Sequence, residues 1–123
     1  MRHILIIEDE ENFRLPLCDF LTLEKFNVTD AVNGFSGLKL AKELQPDLII
    51  CGLRLEDIDG FMVLEHLRAD LATFNIPLIF LTADITINSY KRAMQLGANA
   101  YITKPVEIST LLDAIAAQLL APH

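Results

Sequence analysis

The chain has 123 residues, 52% of them hydrophobic, and 17 acidic against 10 Lys and Arg side chains give it a net charge of −7. The apolar fraction excludes a disordered chain and the length fits one domain, residues 1–123, while the acidic balance argues against direct nucleic-acid binding. No apolar run reaches the roughly 18 residues of a membrane span, and "MRHILIIEDEE" turns acidic too soon for a signal peptide, so a cytoplasmic protein is expected.

Short apolar or β-branched runs alternate with stretches of helical spacing. "HILIIE" (residues 3–8) reads as the first strand. Phe13, Leu17, Phe20 and Leu21 then make one helical face, with Pro16 near its first turn. "FNVTDAV" (26–32) is the second strand, and Phe35, Leu38, Ala41 and Leu44 mark the second helix after Gly34. "DLIIC" (47–51) is the third strand. It runs into Gly52 and an acidic loop, where Asp57 and Asp59 are expected to point to solvent and Asp59 with Gly60 to shape a turn. Leu64 and Leu67 mark a short third helix, and "IPLIFL" (76–81) is the fourth strand. Asp84 is a stronger cap for the following helix than Thr82. That fourth helix carries Ile87, Tyr90, Ala93, Met94 and Leu96 and ends at Gly97. "AYIT" (100–103) is the fifth strand. Lys104–Pro105 makes a tight turn, of which a cis bond is one form, before a fifth helix with Ile108, Leu111, Leu112, Ile115 and Leu119. Cys18 and Cys51 lie inside apolar patterns with no metal spacing and read as buried free thiols of a reducing compartment.

A β-α unit repeated five times, with near-continuous apolar strands, implies a parallel sheet covered on both faces. Sites in such sheets form at the carboxyl ends of the strands. Glu8 and Asp9 stand at the first of these ends. An adjacent carboxylate pair suits a hard cation such as Mg²⁺, or simply places negative charge at the next helix N-terminus. Thr82 is a hydroxyl for a phosphoryl oxygen or a helix cap. Lys104 is an ammonium facing the acidic pair or a solvated loop lysine. Tyr101 is read from spacing as a half-buried edge-strand aromatic.

Taken together, "ILIIEDEE", "PDLIIC-LRLEDIDGF", "IPLIFLTA" and "GANAYITKP" resemble the response-regulator receiver domain of bacterial two-component signalling, over about residues 3–120. The resemblance implies a flavodoxin-like (βα)5 α/β fold, five parallel strands in the order 2-1-3-4-5 with five helices. It implies a signalling module, not an enzyme, that takes a phosphoryl group from a histidine kinase or histidine-phosphotransfer protein. Carried over by position, Asp9 resembles the direct Mg²⁺ ligand, Glu8 its acidic neighbour, and the backbone carbonyl of Arg54 a further ligand. Lys104 resembles the lysine that pairs with the phosphoryl group, Thr82 the hydroxyl that moves toward it, and Tyr101 the aromatic that rotates inward. The surface of the fourth helix, fifth strand and fifth helix would meet an output domain or partner protein, a second copy included.

The aspartate that accepts the phosphoryl group in the family falls at Gly52, which has no nucleophile. The family's proline in the following loop is also absent, with Glu56 near its place. Loss of a carboxylate weakens the Mg²⁺ site. The expected function is therefore a degenerate receiver acting as a protein-interaction module. The alternative is an ordinary phospho-receiver in which Gly52 is an engineered or incidental substitution. Asp57 or Asp59 as a substitute acceptor is the less favoured variant. A small α/β enzyme or nucleotide-binding protein is opposed by the lack of a Gly-rich loop after the first strand and by the scattering of His3, His66 and His123. With one negative charge missing, Lys104 is expected to pair directly with Asp9 or Glu8, and water to fill the space at position 52.

Overall fold

A computed structural model describes residues 2–120 of the chain. Strands β1 (His3–Ile7), β2 (Asn27–Ala31), β3 (Leu48–Cys51), β4 (Leu78–Thr82) and β5 (Ala100–Thr103) alternate with helices α1 (Glu11–Leu23), α2 (Gly34–Leu44), α3 (Gly60–Ala69), α4 (Ile87–Gln95) and α5 (Ile108–Leu120). The strands form one parallel sheet in the order β2-β1-β3-β4-β5. The flavodoxin-like arrangement expected from the sequence is present.

Strand side chains alternate between faces, and two cores follow from that parity. Leu5, Ile7, Ile49, Cys51, Leu78 and Phe80 meet Ala41 of α2, Leu64 and Leu67 of α3 and Ala93 of α4. Ile4, Ile6, Leu48, Ile50, Ile79 and Leu81 meet Leu17 and Leu21 of α1 and Leu111 and Ile115 of α5. The chain steps one way from β1 to β2 and the other way from β2 through β5, so right-handed crossovers put α1 on one face and α2, α3 and α4 on the other.

The element bounds differ from expectation for local reasons. β4 begins at Leu78, after Pro77, which has no N–H to give the ladder, and runs through Thr82. Pro16 lies inside α1 and not at its first turn. Among the five apolar residues that mark α4, only Ala93 is fully buried. Ile87, Tyr90 and Met94 are exposed at 62%, 44% and 38%, so most of that stripe faces outward. Cys51 is buried, Cys18 is half-buried, and both are free thiols. Burial pushes the Cys18 thiol up to about 11 and the Cys51 thiol higher still, which leaves neither as a ready nucleophile. His3 bonds the Thr29 hydroxyl and His66 the Met62 carbonyl. His123 lies outside the described residues.

Candidate functional site at the carboxyl end of the sheet

The parallel sheet brings the carboxyl ends of β1, β3, β4 and β5 to one edge. There a cleft of about 370 Å³ is lined by Glu8, Glu10, Gly52, Leu53, Arg54, Thr82, Asp84 and Lys104, among others. Most of the expected site residues are thus gathered in one place. Asp9, expected as the direct metal ligand, is half-buried and does not line the cleft; Glu8 and Glu10 do.

Glu8 is the centre of the arrangement. Its backbone N–H still donates to Ala31 of β2 at 3.0 Å, and its residue is only 5% exposed. One carboxylate oxygen, Oε1, accepts from Lys104 Nζ at 3.2 Å. The other, Oε2, accepts from the Glu10 backbone N–H at 3.1 Å. The expected pairing of Lys104 with one of the two acids is present, and Glu8 is its partner. Burial pushes the Glu8 carboxyl above its ordinary range and the neighbouring Asp9 adds to this; the Glu10 N–H and the Lys104 ammonium oppose the rise without cancelling it.

Lys104 is fixed from several sides. Its N–H donates to the Thr82 carbonyl at 2.7 Å, and the peptide to Pro105 is cis. Its ammonium also lies 3.9 Å from the centre of the Phe13 ring, a cation–π contact from α1.

The space at position 52 has close neighbours. A Cβ built on Gly52 would meet Glu8 Oε1 at 2.9 Å and the Leu55 side chain at 3.4 Å. The Glu8 carboxylate reaches into the space that a side chain at 52 would enter. Strand register explains why. Ile7 pairs with Cys51 and Gly52 donates to the Ile7 carbonyl at 2.8 Å, so Glu8 and residue 52 are neighbours projecting to the same side.

The opposite wall is built from the β4–α4 loop. Thr82 is buried, and its hydroxyl accepts from the Asp84 N–H at 3.1 Å. Asp84 is not the cap of α4; Thr86 is, accepting from the Ser89 N–H at 3.3 Å. Asp84 instead gathers the loop, accepting from the Ser89 hydroxyl at 2.7 Å, the Thr86 hydroxyl at 2.7 Å and N–H at 2.9 Å, and Arg54 at 3.2 Å. These donors, the Ser89 hydroxyl foremost, hold its carboxyl down at about 2. Tyr101 is half-buried, with its ring against Phe80 and Tyr90 and its hydroxyl donating to the Asp84 carbonyl at 2.7 Å.

Two residues were read differently from sequence or not at all. Asp57 does not simply point to solvent: its carboxylate accepts from the Gly34 and Phe35 N–H groups, both at 2.8 Å, and so holds the N-terminus of α2. Desolvation raises its carboxyl, but those N–H donors outweigh it and the net shift is downward. Asp59, expected to shape a turn with Gly60, is the cap of α3 and accepts from the Met62 N–H at 2.9 Å. Arg14 was not singled out. It is 7% exposed, donates to Asp30 at 2.8 Å and to the Glu8 carbonyl at 3.0 Å, and so ties α1 to the ends of β1 and β2.

Mg²⁺ commonly takes one or two carboxylates with waters and phosphate oxygens. Among the described residues no group of three or more His, Cys, Asp or Glu side chains stands together as a cation site. Of the two acids ending β1, Glu8 is committed to Lys104 and Asp9 lies off the cleft lining. The residues as arranged do not fit a tightly held divalent cation. No helix among the described residues is long and apolar enough to cross a membrane.

Comparison with known proteins bears on the whole chain. Residues 4–116 match the response regulator receiver domain. RpaA of Synechocystis, a DNA-binding dual master transcriptional regulator, is 38% identical over 119 residues, which cover 97% of this chain and 49% of that protein. The transcriptional regulatory protein YkoG of Bacillus subtilis is 41% identical over 95% of this chain and 50% of its own length. The chain thus spans about half the length of these relatives. PilH of Pseudomonas aeruginosa is 32% identical over 97% of this chain and 98% of its own. A response regulator of Chloroflexus aurantiacus superposes with a TM-score of 0.92 at 28% identity, over 98% of both chains. The chemotaxis protein CheY4 of Vibrio cholerae, at 23% identity and a TM-score of 0.91, shares the fold. This chain belongs to the response regulator receiver domains of two-component systems.

Proposed function

We propose that the chain is a receiver domain that regulates through protein contact without forming an aspartyl phosphate. The observation that carries this reading is at Gly52. An acyl phosphate needs a carboxylate oxygen in line with its donor. The position carried over from the family as acceptor has no side chain, and the Glu8 carboxylate, paired with Lys104, reaches into the space. Asp57 and Asp59 are poor substitutes, since each is engaged at the N-terminus of a helix.

In this reading Lys104 keeps the anion-holding role that the resemblance gives it, toward an internal carboxylate. Thr82 and Tyr101 both connect to the β4–α4 loop through Asp84, so the state of the cleft can reach α4. Ile85, Ile87, Tyr90 and Met94 are exposed there, which supports the face of α4, β5 and α5 as the surface for a partner, whether histidine kinase, output domain or second copy. RpaA is described as DNA-binding. The acidic balance of this chain favours a protein partner at this face. The resemblance names Glu8, Asp9 and the Arg54 carbonyl as oxygen donors for Mg²⁺, but with Glu8 paired to Lys104 and Asp9 off the cleft lining the three do not form a fitted site.

A second reading has one feature in its favour: Thr82, Tyr101 and Lys104 remain gathered around position 52, as an ordinary phospho-receiver in which Gly52 is a substitution would keep them. One experiment separates the two. The chain and its Gly52→Asp variant are incubated with labelled acetyl phosphate and Mg²⁺, and any label is mapped by mass spectrometry. No label on the chain itself is expected. Prompt Mg²⁺-dependent labelling of Gly52→Asp at residue 52 favours the second reading, and label on the unaltered chain at Asp57, Asp59 or Glu8 overturns the first.

A further inference from the structure

We propose that Glu8 is a positioning residue that replaces the side chain missing at position 52: it is the internal anion that holds Lys104, and with it the start of the β5–α5 turn, without a metal ion or a phosphoryl group.

The inference rests on observations that meet at the Glu8 carboxylate. Glu8 Oε1 lies 2.9 Å from the Cβ that any side chain at 52 would carry. An aspartate's carboxylate oxygens lie two bonds beyond its Cβ, so an anion already occupies the zone an acceptor carboxylate would claim. The same oxygen takes the Lys104 ammonium at 3.2 Å. The second oxygen is tied to the Glu10 N–H, which fixes the carboxylate in rotation as well as in reach. Among the described residues, no buried side-chain polar atom is without a hydrogen-bond partner, so the pair is satisfied as it stands.

Charge bookkeeping leads to the same place. A buried carboxylate needs a countercharge or it takes up a proton. The side chains of Glu8 and Lys104 are 6% and 18% exposed, so each is the other's nearest remedy. Removing one leaves the other largely buried without its countercharge. A divalent cation entering at Glu8 would have to displace Lys104. The pair therefore serves as the pocket's own neutral filling, and the cleft is closed electrostatically although it is open in shape.

The proposal deepens the reading of a receiver without aspartyl phosphate and rests on it for significance. Its test reads Lys104, not phosphate, so the two can fail separately. Lys104 is followed by timed acetylation of amines and mass spectrometry, with exposed Lys91 as the internal reference, in the full chain. Four forms are compared after circular dichroism confirms that each is folded: unaltered, Glu8→Gln, Gly52→Ala, and Glu8→Gln with Gly52→Asp. Glu8→Gln removes the carboxylate that holds the ammonium and is expected to raise Lys104 labelling relative to Lys91 by about tenfold. Gly52→Ala keeps every charge but crowds Glu8 Oε1, and is expected to raise it by about twofold to threefold. Adding Gly52→Asp to Glu8→Gln is expected to restore protection, because a carboxylate returns to the same zone. Unchanged Lys104 labelling in Glu8→Gln overturns the proposal, as does failure of Gly52→Asp to restore it. If Glu8→Gln does not fold, Gly52→Ala decides alone, and an unchanged ratio there overturns the proposal.

Discussion

Glu8 and Asp84 face each other across one cleft, and their carboxyls are held in opposite ways. Glu8 belongs to the β1 wall. It is buried, its main countercharge is the single Lys104 ammonium, and burial raises its pKa. Asp84 belongs to the β4–α4 wall. It collects hydroxyl and N–H donors from Ser89 and Thr86 as well as Arg54, and its carboxyl is held down at about 2. The contrast separates two ways of placing negative charge at a strand end. A carboxylate given several local donors is stable by itself and organises its own loop. A carboxylate given one distant cation is stable only in company, and so it couples the two elements that share the pair. The β1 wall is the coupled one: residues 8 and 104 are 96 positions apart in the chain.

The comparison breaks most readily at Lys104. Lys104→Ala removes the ammonium paired with Glu8 and the contact with Phe13, and is expected to lower stability by about 2 kcal/mol in urea denaturation. A loss below about 0.5 kcal/mol, the size expected for an exposed pair, would mean that Glu8 does not depend on it.

The two acids can next be told apart by pH. The folded-state value of Asp84 lies below its ordinary 3.8, so its contribution is present above that value and is lost as pH falls toward about 2. Glu8 has the opposite sign: its folded-state value is raised above 4.5, so its contribution is full below 4.5 and is lost as pH rises through the raised value. Asp84→Asn is expected to flatten the acid-side fall in stability between about pH 3.8 and 2, and above pH 5 to lower the profile without changing its slope. An unchanged acid limb in thermal melts would remove the distinction between the walls.

The smallest effect is expected at Arg54. Its side chain is 79% exposed in the pair with Asp84, and exposed pairs contribute little. Arg54→Ala should leave the denaturation midpoint unchanged within error, because Ser89 and Thr86 continue to hold the loop. A clear drop would show that Asp84, like Glu8, leans on a single cation.

Much of this was legible in the sequence, for reasons that can be named. Apolar strands with opposite-parity partners set the two cores, and the resemblance supplied the strand order. The strand-end position of Glu8, Thr82 and Lys104 followed from where the apolar runs stop. Lys104 was expected to meet one of two acids, but which one depends on side-chain reach. Glu8 lines the cleft and reaches the space beside residue 52, whereas Asp9 does not line the cleft. Arg14 escaped notice because a lone arginine in an apolar helix reads as solvated, and its partners at Asp30 and Glu8 come from other elements. That Thr86 caps α4 where Asp84 was expected turned on two residues of offset, below what capping preferences resolve. Asp57 was read as solvent-facing because its donors, Gly34 and Phe35, lie more than twenty positions away.

The thin anchoring of α4 has a consequence of its own. Ala93 is its only fully buried residue, while the strands behind it are buried along much of their length. The free energy needed to open a segment tracks the apolar surface it keeps from water, so α4 should be the helix that detaches first and at least cost. Its amides would then exchange with solvent through local openings while those of β3 and β4 wait for global unfolding. A helix with one fully buried residue, held otherwise by surface contacts such as Tyr90 on Tyr101 and Ser89 on Asp84, needs less energy to move, and a ligand that favours one of its positions needs less affinity to choose between them.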